Sequence, residues 1–295
     1  MSFANFKPNV WAAGINRELA RKCVFVEDCY QKYSGQVKKK GESVTILGIG
    51  SPTITTISKD SKNKKLGTPE VIEDTSVILY IDQLSYFNYQ IDDIDEAQAS
   101  EDIDGTLSAE TSDKLANEVD RFIASKVVDT SVPKLYEAPV KVVAKETETA
   151  GERYVLDVVD DAVQVLQEND VADSTPIIIT VSPRFFKLFK KAYRFEDTNN
   201  SEILKNGKIG MYDKVTVKRS NNVHRTAESG TAYVKNGTVD HIMIRTQRAV
   251  AFAKPHTFTE ALRSTDWFCD VIRGFILYGA KIIRPKEILD INVKY

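Results

Sequence analysis

The stretch from residue 36 to residue 80 constrains what this chain can fold into more than any other. Val44-Thr45-Ile46-Leu47 and Ile54-Thr55-Thr56-Ile57 are β-prone runs on either side of Gly48, Gly50 and Pro52, and Val77-Ile78-Leu79-Tyr80-Ile81 resumes as a strand. The pattern predicts a long two-stranded excursion whose tip, Ser58 to Gly67, is polar and lysine-rich. A two-stranded ribbon cannot bury its own apolar face. It needs a surface to lie on, which favours contact with a neighbouring subunit over a free loop.

Charge follows the same division. Residues 36–70 hold seven lysines against three acids, a surplus of four positive charges. Residues 92–120 hold eleven acids against Lys114 alone, a surplus of ten negative charges. The net charge of −2 for all 295 residues hides this segregation. The usual reading of such a lysine run is a solvated loop tip, and nucleic-acid binding is a second reading. A third is that the basic excursion lies on the acidic segment of another copy, because opposed patches steer and register association.

Composition excludes several classes. Apolar residues at 42% with a small net charge exclude a wholly disordered chain. The longest apolar runs, Val77 to Ile81 and Ile177 to Ile179, fall far short of the ~20 residues a membrane-crossing helix needs. The near-zero charge argues against a strongly basic nucleic-acid binder. Met1 to Pro8 carries no secretory pattern, and Cys23, Cys29 and Cys269 make neither a disulfide framework nor a Cys-x-x-Cys pair. Free thiols in a reducing cytoplasm are expected.

Periodicity places the remaining elements. Trp11, Ile15 and Leu19 mark a short amphipathic helix ending near Lys22. Leu115, Val119, Phe122 and Ile123 define one face of a long helix from about Leu107 to Val128, with Gly105 and Thr106 at its start. Val140 to Gly151 reads as a hinge or connecting strand. A second amphipathic helix carries Tyr154, Val158, Ala162, Val165 and Leu166, with Asn169 near its end. Pro176 to Val181 reads as a strand buried on both faces. Ser182 as N-cap and Pro183 at the first helical position then start a helix through Phe189. Strands are expected at 214–218, 241–246, 250–252 and 272–283. Their order over 151–295 suggests a compact α/β unit.

Catalytic and metal patterns are weak. Asp92, Asp93, Asp95 and Glu96 are candidates for a divalent cation. Ser100, Asp102, Asp104 and Gly105 fill four places of a calcium loop, but its first place lacks Asp and its twelfth is Thr111 instead of Glu. Solvated acids at a helix N-terminus, where the dipole favours them, are the better account. His224, His241 and His256 are scattered and read as structural or surface residues. Gly48-Ile49-Gly50 lacks the third glycine of a dinucleotide fingerprint, and there is no phosphate loop.

The order of segments resembles the major capsid proteins of tailed bacteriophages with the Hong Kong 97-type fold, and the related encapsulin shells. The resemblance covers nearly the whole chain. It rests on Val10-Trp11-Ala12-Ala13-Gly14-Ile15, Tyr33-Ser34-Gly35 before Gly41-Glu42-Ser43-Val44, and Ile91 to Asp95 through Gln98 before the long helix. It continues with Val181-Ser182-Pro183, Ile209-Gly210, Ser220-Asn221-Asn222, Gly274 to Lys281 and Arg284-Pro285. Asp213 departs from it, standing where these proteins often have Gly before the strand to Ser220.

The resemblance implies an α+β architecture in four parts. These are an N-terminal arm (1–35), an extended β-hairpin loop (36–80), a peripheral domain with a long spine helix (81–139 and 253–271) and an axial α/β domain (140–252 and 272–295). It implies shell assembly into hexamers and pentamers around packaged double-stranded DNA in a virion assembled in the host cytoplasm, with no catalytic residues, metal or cofactor. Other copies are the main partner. A separate scaffolding protein, a portal and a decoration protein accompany that reading, DNA is held only non-specifically, and no membrane is involved. Candidate intersubunit contacts are Lys59, Lys62, Lys64, Lys65, Asp92, Asp93, Asp95, Glu96 and Trp11. An encapsulin is the alternative, and a soluble α/β enzyme has no constellation to support it.

Overall fold

Two cores of different design account for most of the structure, a computed structural model that describes residues 23–32, 43–49, 54, 56, 74–92, 103–145, 151–172, 174–195, 211–212, 215–228, 230–264 and 267–295. Elements are numbered here along the chain: α1 is Val24–Glu27, β1 Ser43–Ile49, β2 Asp74–Tyr80, β3 Gln83–Asp92 and α2 Ile103–Ser125. Then come β4 (Val140–Val143), β5 (Glu152–Tyr154), α3 (Val155–Glu168), β6 (Ile177–Val181) and α4 (Pro183–Phe195). Next are β7 (Met211–Tyr212), β8 (Val215–Arg219), β9 (His224–Thr226), β10 (Val239–Thr246), β11 (Val250–Arg263), β12 (Cys269–Ile282) and β13 (Ile288–Lys294). Among the described residues no helix is long and apolar enough to cross a membrane.

The first core is an eight-stranded mixed sheet in the order β5-β4-β13-β10-β6-β8-β7, with β9 also paired to β10. Its central strands are covered on both faces, so β6 and β10 are buried at every residue. That is why Pro176 to Val181 is continuously apolar instead of alternating. Val158, Ala162 and Leu166 of α3 and Phe185 and Phe189 of α4 pack on Ile179, Ile242 and Ile291. Ser182 caps α4 as expected, accepting from the Phe185 amide at 3.2 Å. The helix runs on to Phe195, beyond the expected end at Phe189. Asn169 is the C-cap residue of α3, and Asp170 after it takes a left-handed φ of 63°.

The second core lies between α2 and a three-stranded antiparallel sheet, β11-β12-β3. Leu115, Val119 and Ile123 are buried as the periodicity predicts, and Phe122 meets Tyr278 edge to face at 5.3 Å. The helix starts at Ile103, four residues before the expected Leu107. Gly105 therefore lies in its first turn instead of stopping it. Glycine in a helix costs only about 1 kcal/mol. Two glycines of β12 are needed for packing. A Cβ on Gly279 would sit 2.1 Å from the Tyr80 carbonyl oxygen, and one on Gly274 2.5 Å from the Phe87 ring. The division expected between residues 271 and 272 falls inside β12, which pairs with β3 and β11 on both sides of that point; only β13 of the C-terminal segment joins the large sheet.

The excursion pairs differently from expectation. β1 is antiparallel to β2, with Val44 opposite Leu79 and Ile46 opposite Val77. In the run expected to pair with it, the described residues Ile54 and Thr56 lie outside any strand, and Ile54 is 88% exposed. The physical reason is the face. Val44, Ile46 and Leu79 project together onto Ala251 and Ala253 of β11, whose small side chains admit them. The expected helix at 11–22 lies outside the described residues.

Residues 23–30 tie the two cores together. Asp120 of α2 accepts from the amides of Val24 and Phe25 at 2.9 and 3.1 Å. Arg245 of β10 donates to the Phe25 carbonyl at 2.8 Å and to Cys29 Sγ at 3.1 Å. Lys218 pairs with Glu27 and Asp28, and Tyr30 exchanges backbone hydrogen bonds with Val250 and Phe252. The Ser220-Asn221-Asn222 segment adds a further tie, Asn222 donating to Asn117 of α2 at 2.7 Å.

Candidate functional site

Polar chemistry first collects in the large sheet. Pairing of β9 with β10 sets His224 opposite His241, and β13 brings Asp290 alongside. His241 Nδ1 contacts Asp290 Oδ2 at 2.9 Å and its Nε2 meets Thr226 Oγ1 at 3.0 Å. This has the connectivity of a hydroxyl–imidazole–carboxylate triad. All three residues are buried, however, and neither cavity described below reaches them. A nucleophile without access performs no turnover, so the cluster is a satisfied buried network. The reading of the histidines as scattered is corrected in geometry, since strand pairing joins two of them. Single-sequence spacing carries no signal for a contact 17 residues apart across a register. Burial lowers the pKa of His224, whose Nε2 contacts the Thr231 carbonyl at 3.0 Å.

A second, part-buried group closes the same sheet. Tyr295 donates to Asp240 at 3.0 Å and meets Ser182 at 2.9 Å, while Arg225 Nε lies 3.2 Å from Asp240. Burial pushes the Tyr295 phenol above its ordinary range, and the Asp240 carboxylate adds to the shift. Burial also raises the Cys23 thiol to about 12. The described thiols are therefore poor nucleophiles or, for Cys269, buried. Among the described residues no group of three or more His, Cys, Asp or Glu could hold a metal ion.

The open surfaces carry the remaining chemistry. Ile276 and Tyr278 of β12 point into the core, so Arg273, Phe275 and Leu277 occupy the opposite face of the sheet. There Tyr86, Phe275 and Phe258 stand in one cross-strand row, and Asn88, Arg273 and Glu260 in the next. The two rows and Leu84 line a groove of about 420 Å³. Tyr86 is 74% and Leu84 57% exposed. A second cavity, about 580 Å³, opens between β3 and α2 beside Lys114 and Glu118. At the far end of the β11–β12 hairpin, Trp267 and Phe268 are 75% and 79% exposed. Sequence reasoning missed both surfaces. The alternation of Leu84, Tyr86 and Asn88 was available as a signal, but which face α2 would cover was not.

Of the predicted contact residues, the structure describes Asp92 alone. It ends β3, exposed and opposite Cys269. Lys59, Lys62, Lys64, Lys65, Asp93, Asp95, Glu96 and Trp11 lie outside the described residues. The acidic helix is less available than its composition suggests. Asp120 is buried as the cap of α1, and Glu110 and Glu118 pair with Lys114 and Arg121 of their own helix.

No family model and no curated protein matches the chain. Solved structures match over most of its length. A structure from Mycobacterium phage Che8 shares 24% identity and a TM-score of 0.70, covering 91% of this chain and 90% of that one. The mature capsid of bacteriophage PhiM1 shares 17% identity and a TM-score of 0.60, covering 88% and 83%. A virus-like particle from Pyrococcus furiosus shares 9% identity and a TM-score of 0.57, covering 96% and 98%. The mixed helix-and-strand fold is the one these phage and virus-like-particle structures share.

Proposed function

We propose that this chain is the major capsid protein of a tailed bacteriophage, whose copies associate into the hexamers and pentamers of an icosahedral shell around double-stranded DNA. The observation that carries the reading is a fold matched over most of both lengths in a phage structure and in a phage mature capsid. A built site for turnover is missing from the buried triad, whereas open apolar faces suited to association are present. In this reading residues 1–35 are the N-terminal arm and 36–80 the extended loop. The loop lies over a neighbour's peripheral part, with Lys59, Lys62, Lys64 and Lys65 facing Asp92, Asp93, Asp95 and Glu96, and Trp11 docking the arm. Scaffolding, portal and decoration proteins are the further partners, and the virion is the destination.

Negative-stain microscopy of the purified protein, alone and with the scaffolding protein, tests this. Closed shells or capsomers are expected; a persistent monomer under both conditions refutes it. The match to the Pyrococcus furiosus particle supports a second reading, an encapsulin-type shell for a cargo enzyme. Shells that form unaided and retain a peptide-tagged cargo would favour it.

A further inference from the structure

The exposed aromatic tip and the aromatic groove are complementary and lie on one chain, yet they cannot meet within it. The tip follows the Arg263–Asp270 pair of the β11–β12 hairpin, and the groove centres on the Phe258–Phe275 pair. Five residues at roughly 3.3 Å each separate them, about 17 Å along a straight ribbon, well beyond a side chain's reach. The tip is held in shape by its backbone. The Ser264 amide donates to the Cys269 carbonyl at 3.1 Å, the Cys269 amide to the Trp267 carbonyl at 2.9 Å, and the Trp267 amide to Ser264 Oγ at 3.3 Å. Two adjoining aromatics flanked by these hydrogen bonds lose less entropy on docking than a pair on a free segment.

The charges around the two features also match. Arg263 and Asp270, 3.0 Å apart, stand behind the tip, and Arg273 and Glu260, 2.8 Å apart, border the groove. These pairs are partly exposed, so they can exchange partners, Arg263 of one copy with Glu260 of another and Asp270 with Arg273. A plug on one place and a socket on another give a head-to-tail contact, which closes into rings or propagates through a shell. Central aromatics with a polar rim are also what interface hot spots look like.

Resting on the proposed self-association, we propose that Trp267 and Phe268 of one copy seat in the groove lined by Leu84, Tyr86, Phe258 and Phe275 of a second copy. The test uses the full chain in its assembled and dissociated forms. Trp11→Phe leaves Trp267 as the only tryptophan. Assembly then shifts its emission to the blue and removes most of its quenching by acrylamide. In parallel, p-benzoylphenylalanine placed at position 86 is irradiated in assembled particles and the captured peptides are sequenced. Capture of residues 264–269 from another copy is expected. Particles that form with Trp267 still quenched, or capture of the 50–73 excursion or of a different protein at position 86, overturn this contact and leave self-association standing. A wild-type chain that stays monomeric at every concentration, with and without scaffold, overturns both.

Discussion

Replacing Asp120 with alanine isolates the tie between the N-terminal segment and the rest of the molecule. The carboxylate accepts two buried amide protons, from Val24 and Phe25, and it is the nearby negative charge for the fully buried Arg245. Each orphaned buried donor costs about 1–3 kcal/mol. Removing the carboxylate also leaves the guanidinium without its counter-charge, although the desolvation of Asp120 itself is relieved. A net loss of about 3 kcal/mol follows, which for a chain this size lowers Tm by roughly 5 °C. Asp120→Asn keeps one acceptor oxygen and should lose about half of that. The pH dependence supplies an independent check. Burial raises the Asp120 pKa from the usual 3.8 to about 6, against the opposing pull of the Val24 and Phe25 amides. A carboxyl whose folded pKa lies above its unfolded one binds its proton more tightly in the fold. Its stabilising contribution is full below 3.8 and is lost as pH rises through about 6. Lowering the pH from 7 to 5 should therefore stabilise the wild type relative to Asp120→Asn in thermal melts followed by circular dichroism. An alanine variant melting within about a degree of wild type would refute the clamp. A wild-type-minus-Asn difference that does not change between pH 7 and 5 would refute the assigned ionisation.

Three further outcomes are expected. Gly279→Ala places a Cβ against the Tyr80 carbonyl, which is backbone and cannot rotate away, so a loss of about 3 kcal/mol is expected by denaturant titration, more than for Gly274→Ala, which also meets a movable ring. Reversing Lys62, Lys64 and Lys65 to Glu should weaken assembly more at 20 mM than at 500 mM salt, both roughly spanning the range over which exposed pairs become screened; light scattering that is unchanged at low salt excludes the contact. Because burial lowers the His224 pKa, the stability this residue confers is present above its unfolded value near 6.5 and is lost as pH falls below it. Hydrogen exchange corrected for intrinsic rate should then show residues 230–238 losing protection at pH 5.5, and His224→Gln should flatten that dependence.

Local chemistry was legible where a few neighbouring residues decide the outcome. The Ser182-Pro183 start of α4, the β6 run and the buried stripe Leu115, Val119 and Ile123 follow from capping, continuous apolarity and a period of 3.6. The partner of β1 was not legible. Residues 54–57 and 74–80 are both β-prone, and the choice rests on Ala251 and Ala253, some 200 positions away, making room for Val44, Ile46 and Leu79. The acidic segment was read by composition alone, which counts Asp120 as a surface charge although it caps α1 from inside the core. The histidines looked unrelated until β9 and β10 came into register.

By itself the sequence determined the long helix, the α3 and α4 helices, the β6 strand and the segregation of charge, because these depend on residues within one or two turns of each other; β3, β9 and β13 escaped it. It also showed that the chain holds a ribbon in need of a surface, and the fold supplies one for Val44, Ile46 and Leu79 within the chain, at Ala251 and Ala253. The tertiary structure decided which strands pair, which acids are available, and which face of the β3–β12–β11 sheet α2 leaves open. Those outcomes depend on residues brought together from distant positions, where side-chain size and register select among pairings that local propensity leaves nearly equal.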